Sequence, residues 1–412
     1  MNLTLKYWKE AATLMLAARS SCVSVAPRSA ISPHFDYEVL LLKRSAKSSF
    51  MPNAYVFPGG LIDDSDFSCD WVEIFKPFSS LPGFGLGLVQ QDPKTRSPMF
   101  ATDRIKLGSL VPGEVAFRIC AIRETFEESG IMLALPQGRT GQKTGELPGA
   151  IQHDELNSWR ARVLQEPKQF TEMCRELQCM PNIWALYEWS NWLTPPDVGR
   201  KGRYDTAFFV CCIQDVPSTA HDEKEIMHYK WEDPMAILSS YKTKAVWIAP
   251  PQFYELSRLC NFLQLEDLHQ FAVGRGLQGC ERWMPLQLSL DNSLVSVLPG
   301  DALYPENPDW IDNGVTFPFV EKSDLQEKVC ALHRLEFESL YSITVHVNIF
   351  PKYKHVNPKC ILFGKSTGYN TKSSTAVGWV SGLWSIHVDA CEIFLIGQKG
   401  HWRVPRTVRR NH

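Results

Sequence analysis

Three glutamates, Glu124, Glu127 and Glu128, crowd the stretch that follows Arg123, and a glycine pair, Gly59-Gly60, stands ahead of them in the chain. On a helix, carboxylates spaced by three and four share an edge, where each like-charged pair costs a few tenths of a kcal/mol. Stability alone does not gather them there. A hard divalent cation removes the repulsion and takes oxygen ligands; it also polarises phosphoryl oxygens and lowers the pKa of a bound water. The pattern therefore points to a bound hard cation, with a solvated acidic face as the plain alternative.

The elements that would hold these groups are legible around them. Val115, Ile119, Ile122 and Phe126 step by four, three and four residues, the spacing of one helical face. This predicts a helix in Val115–Ile131 that Ser129-Gly130 terminates. At about 100° per residue, Glu124 and Glu128 point away from Phe126, and Glu127 lies to one side. Upstream, Ala54–Phe57 is short and β-prone, and Pro58-Gly59-Gly60 breaks it. Glycine there lets backbone approach a ligand or turn with positive φ.

Phe57-Pro58-Gly59-Gly60 and Arg123-Glu124-Thr125-Phe126-Glu127-Glu128-Ser129-Gly130-Ile131 match the two halves of the Nudix box, in the correct order. The chain resembles a Nudix hydrolase. Within that superfamily it is similar to the coenzyme A diphosphatases of the nucleoside diphosphate-linked moiety X type 19 kind. Leu41-Leu42-Lys43-Arg44-Ser45 precedes the glycines as the CoA-recognition signature does, and a long insertion splits the box. A helical stretch after the box then leads to a strand ending in Trp192-Leu193-Thr194-Pro195.

The resemblance, which runs to about residue 360, implies an α+β Nudix fold: a mixed β-sheet sandwiched between helices, with insertions and a β-rich C-terminal appendage. It implies Mg²⁺ or Mn²⁺ as cofactor and hydrolysis of the pyrophosphate of CoA or acyl-CoA, giving 3′,5′-ADP and 4′-phosphopantetheine or its acylated form. On the motif match, Glu124 and Glu128 carry over as metal ligands and Arg123 orients the glutamates, with Glu127 completing the catalytic set. Arg44, Ser45, Gly59 and Gly60 become substrate contacts. Arg203, in the basic cluster of Arg200, Lys201 and Arg203, is either a phosphate clamp or part of a solvated loop. Glu223 and Glu225 are candidate general bases. The middle glutamate of the box has two candidate counterparts, Asp66 by its spacing from Gly60 and Glu114 at the helix start. Other nucleoside diphosphate derivatives (NADH, ADP-ribose) and a catalytically silent nucleotide-binding module remain competing readings.

The 412 residues, 44% hydrophobic and 21% charged, suit two globular units. A formal net charge of −2 gives no global case for nucleic acid as partner. No run reaches the roughly 18 apolar residues of a membrane span. Twelve cysteines without a CxxC motif fit reduced thiols in an intracellular compartment. Ala11–Ala18 reads as the first strand, although Lys6, Lys9, Arg19 and Arg28 against the single acid Glu10 also suit a mitochondrial transit peptide. The chain ends Arg410-Asn411-His412, where the resembling proteins carry a peroxisomal tripeptide of the SKL kind.

Further strands are expected at Tyr37–Leu42, Trp184–Leu193, Tyr204–Ile213, Leu286–Leu298 and Leu335–Phe350. Pro167 divides His153–Leu177 into two short helices read as a cap beside the site, and Gln252–Leu263 is amphipathic. The expected organisation is a catalytic unit over 1–271 with insertions at about 66–112 and 150–180, an accessory region over 272–360, and a divergent, poorly ordered tail over 361–412. Oligomeric state is not legible.

Overall fold

The computed structural model describes residues 8–20, 34–48, 51–137, 147–195, 202–220, 225–289, 294–306, 330–359 and 384–385. The expected tail over 361–412 lies outside the described residues, apart from 384–385, as do Arg200, Lys201 and Glu223. In chain order the strands and helices of the first body are β1 (Trp8–Arg19), β2 (Tyr37–Arg44), β3 (Tyr55–Val56), β4 (Gly59–Leu61), α1 (Asp70–Ile74), α2 (Pro98–Ala101) and α3 (Gly113–Ser129). They continue with β5 (Ala134–Pro136), α4 (Leu156–Val163), α5 (Gln169–Glu176), β6 (Cys179–Pro181), β7 (Tyr187–Leu193), β8 (Arg203–Ile213) and β9 (Ile226–Glu232). Three helices follow, α6 (Pro234–Lys242), α7 (Pro250–Leu259) and α8 (Leu265–Arg275), and then β10 (Arg282–Trp283). The last strands are β11 (Leu286–Ser289), β12 (Leu294–Val297), β13 (His333–Ser339), β14 (Ser342–Val347) and β15 (Trp384–Ser385).

The long apolar runs form the centre of an eight-stranded mixed sheet, ordered β10-β7-β8-β1-β2-β3, with β4 added to β1 and β9 to β2. β1 and β8 pair in parallel over Trp8–Ala18 and Arg203–Ile213. Their side chains alternate between two cores. Leu14, Leu16, Ala18, Phe209 and Cys211 join α3 and the aromatic residues of the insertion, whereas Met15, Ala17, Phe208, Val210 and Cys212 join α6, α7 and α8. A sheet buried on both faces requires apolar residues at successive positions, which is why these strands read as runs. The sheet is sandwiched between helices, as expected.

The insertion folds onto the core rather than looping away from it. Trp71, Phe75, Phe84 and Phe100 pack in the α3-side core, and the Arg96 guanidinium forks onto Glu188 at 2.6 and 2.7 Å. α3 is consequently buried on most sides: Phe117, Cys120 and Ala121, off the expected apolar face, are as inaccessible as Phe126, and Glu114 and Glu124 keep partial exposure. Ser129-Gly130 closes it, with Gly130 left-handed (φ 74°) and its N–H donating to the Phe126 carbonyl. Pro167 separates α4 from α5. Only Tyr187–Leu193 of the Trp184–Leu193 stretch is strand, because Ile183–Ala185 makes a 3-10 turn.

The C-terminal strands form a separate antiparallel sheet, β11-β12-β13-β14-β15. Leu335–Phe350 supplies most of a hairpin rather than one strand, turning between β13 and β14. This sheet is tied to the first body at several points. Leu335, Ile343, Val345 and Val347 share one core with Trp189, Tyr254 and Leu256, and the Tyr241 hydroxyl donates to the Leu340 carbonyl at 2.6 Å. No helix among the described residues is long and apolar enough to cross a membrane.

At the junction, the His333 ring lies 2.7 Å (Nδ1) from the Pro299 carbonyl and 2.8 Å (Nε2) from the Tyr254 hydroxyl. A carbonyl only accepts, so Nδ1 carries the proton and Nε2 accepts from Tyr254. Burial, helped by Arg258 and opposed by the Pro299 carbonyl, pushes this imidazole down to about 4. The unfolded chain therefore binds the extra proton first as pH falls. The stabilisation is present above about pH 6.5 and is lost on descending towards pH 4, by about 3 kcal/mol. Urea unfolding should show His333→Asn losing that part of the pH dependence while wild type keeps it; equal slopes would contradict the assignment.

Candidate active site

β4 brings the glycine pair against β1, with Thr13 opposite Gly59 and Ala12 opposite Gly60. A Cβ on Gly59 would lie 2.4 Å from the Ala12 carbonyl oxygen, and one on Gly60 would lie 2.4 Å from a Glu124 carboxylate oxygen. Gly59, with φ 152° and backbone in the way, admits no side chain, and a side chain on Gly60 would displace the Glu124 carboxylate. The Gly59 N–H donates to Glu128 Oε2 at 2.8 Å, fixing the last glutamate of the cluster on the turn.

Arg123 organises the rest. Its Nε and Nη2 fork onto Asp66 at 2.9 Å each, Nη1 reaches Glu124 at 2.9 Å and Glu127 at 2.7 Å, and Nη2 also donates to the Leu61 carbonyl at 3.0 Å. Burial opposes the charge on this guanidinium, but Asp66 and Glu124 outweigh it and hold its pKa well above the usual value. Asp66 is thus the carboxylate that Arg123 grips, whereas Glu114 turns to Arg96 at 3.5 Å. The solvated acidic face is overturned as an alternative, since the Glu124 side chain is 16% exposed and Glu127 and Glu128 are buried.

Crowded carboxylates resist ionisation. Burial pushes Glu124 up to about 7, with Arg123 opposing and Glu127 adding to the rise. Burial raises Glu127 against Arg123, and raises Glu128 well above the carboxylate range with help from Glu124 and against the Gly59 N–H. Such a set favours a hard cation. Among the described residues no three carboxylate, imidazole or thiol groups converge on one point. Two carboxylates are sufficient for an ion that keeps water and phosphate oxygens in its remaining positions. The donor chemistry and the cradle left by the missing Gly60 side chain fit it at Glu124 and Glu128.

These groups open into a cleft of about 710 Å³, lined by Arg44, Gly59, Gly60, Arg123, Glu124, Glu127, Glu128 and Glu225 at its charged end. Arg44 pairs with Glu225 at 2.7 Å. Two expected contacts fall elsewhere. Ser45 is buried outside the lining and its hydroxyl accepts the Lys47 N–H at 3.2 Å, because neighbours in an extended segment face opposite ways and Arg44 takes the cleft side. Arg203 is also outside the lining; Tyr204 and Thr206 face the cleft, and the Arg203 guanidinium lies 5.2 Å from the Trp8 ring centroid. Of the expected cap, Pro167 reaches the cleft. The sequence reading missed Gln252, Pro285, Gln287, Ser296, Leu335 and Phe337, which form other parts of the wall.

Comparison with known proteins decides the family. The NUDT19 Nudix domain matches residues 8–259, and the NUDT19 C-terminal domain matches residues 287–348. The chain belongs to the NUDT19 Nudix family. It is 51% identical over 374 residues to the acyl-coenzyme A diphosphatase NUDT19 of Xenopus laevis, covering 88% of this chain and 98% of that one. The Gallus gallus protein of the same name is 45% identical, covering 90% and 100%, and that of Homo sapiens 41%, covering 87% and 96%. Nudix proteins typically depend on a metal ion, in keeping with the donor set of α3. The C-terminal match takes in Gln287, Ser296, Leu335 and Phe337, which line the cleft in this chain.

Proposed function

We infer that this chain hydrolyses the pyrophosphate of CoA and acyl-CoA, releasing 3′,5′-ADP and 4′-phosphopantetheine or its acylated form. The observation that carries the reading is the single cleft in which Glu124 and Glu128 flank the Gly59-Gly60 turn, in a chain so similar along its length to named acyl-CoA diphosphatases. A bound Mg²⁺ or Mn²⁺ would supply Lewis acidity and a water of lowered pKa. Glu124 and Glu128 would hold it. Arg123 spends its donors on Asp66, Glu124 and Glu127, and so positions carboxylates rather than substrate.

Arg44, which lines the cleft beside the carboxylates, would face the substrate's phosphates. Glu225 lines the same region with its side chain 55% exposed, and would be the group there to take a proton from an incoming water. The test incubates the protein with CoA, NADH or ADP-ribose and Mg²⁺ or Mn²⁺, and resolves the products. The expected result is 3′,5′-ADP from CoA at the highest kcat/KM. No 3′,5′-ADP from folded protein, or a clear preference for NADH or ADP-ribose, would overturn the reading.

A further inference from the structure

Gln287, Ser296 and Leu335 form one row across β11, β12 and β13, because Gln287 is paired with Ser296 and Ser296 with Leu335. Phe337, two residues along β13, shares their face. All four line the catalytic cleft, as does Pro285 just before β11. The opposite face, through Leu288, Val295 and Val297, packs beneath Leu303 and Tyr304. The sheet therefore has a core of its own on one side; its other face joins the α7 core through Ile343, Val345 and Val347 and meets the cleft at Gln287, Ser296, Leu335 and Phe337.

This wall is firmly held. Arg334 forks onto Asp301 at 2.7 Å through both Nε and Nη2, and β13 and β14 share the core of α7. It is also uncharged. Among the described residues the cleft's cations are Arg44 and Arg123, which stand with the carboxylates. Two amide oxygens in the lining, Gln252 Oε1 and Gln287 Oε1, are buried without a hydrogen-bond partner among the described residues, and Gln287 donates through Nε2 to Ser296 Oγ at 3.1 Å. A buried acceptor left unmatched is costly, and rotating the amide towards an N–H donor in the cleft relieves it.

We propose that the C-terminal sheet is the subsite for the pantetheine and acyl arm of the substrate, with Gln287 and Gln252 accepting the arm's amide N–H groups and Leu335 and Phe337 covering its apolar part. The proposal rests on the diphosphatase reading above and extends it. The arm is a neutral chain with two secondary amides, matching a wall of amides and hydrocarbon. The 3′-phosphoadenosine end carries charge that this wall would leave unpaired. The sheet thereby acts as a specificity element of the hydrolase.

Calorimetry with the full chain tests this through the two products separately, without needing turnover. Gln287→Leu should weaken 4′-phosphopantetheine about tenfold and leave 3′,5′-ADP within about twofold, which also shows that the variant is folded. Phe337→Ala should reduce the gain in kcat/KM between CoA and a medium-chain acyl-CoA. Equal losses for both products, a loss confined to 3′,5′-ADP, or no saturable 4′-phosphopantetheine binding to wild type would overturn the proposal. Failure of the diphosphatase reading would show instead as intact CoA after incubation with wild type.

Discussion

Glu128→Gln should lower kcat for CoA by about 10³-fold, equivalent to about 4 kcal/mol of barrier, and leave the urea unfolding midpoint nearly unchanged. The substitution keeps the shape of the side chain and an oxygen that still accepts the Gly59 N–H. What it removes is the negative charge, in a place where burial and Glu124 already work against ionisation. Folding loses nothing by that. A bound divalent ion would lose one of its two proposed anionic ligands, and so the effect would fall on chemistry. A variant that unfolds while its folded fraction keeps full turnover would make Glu128 a structural residue.

Arg123→Met has the opposite signature and should destabilise the protein by about 3–5 kcal/mol in urea unfolding. The guanidinium is buried among Asp66, Glu124 and Glu127, and its removal leaves those carboxylates facing one another with no cation between them. Arg123→Lys should recover only part of the loss, because a single ammonium cannot make the two-pronged contact with Asp66 and also reach Glu124 and Glu127. A Met variant as stable as wild type would show that the carboxylates need no such partner.

How far the sequence carried differs from residue to residue. The four-three-four spacing of Val115, Ile119, Ile122 and Phe126 marked α3, and Ser129-Gly130 marked its end, because helix period and left-handed caps are local properties. The apolar runs marked β1 and β8 because both faces of their sheet are covered. Choosing Asp66 over Glu114 needed the third dimension: it depends on where the Arg123 side chain reaches across some 57 positions of chain. Ser45 entered through the match to the CoA signature and Arg203 through its basic cluster; strand alternation gives the cleft side to Arg44 and Tyr204 instead. The wall formed by Gln287, Ser296, Leu335 and Phe337 left no local signal at all. Its presence in the cleft follows from how β10 joins the main sheet beside β7 and swings the next strands over the site.

The claim beneath all of this is that the α3 carboxylates hold a divalent ion, and a crystal soaked in MnCl₂ and measured at the manganese edge addresses it most directly. The account predicts an anomalous peak touching the Glu124 and Glu128 carboxylates beside Gly60. Ordered manganese elsewhere in the molecule, with no peak at those two side chains, would contradict it.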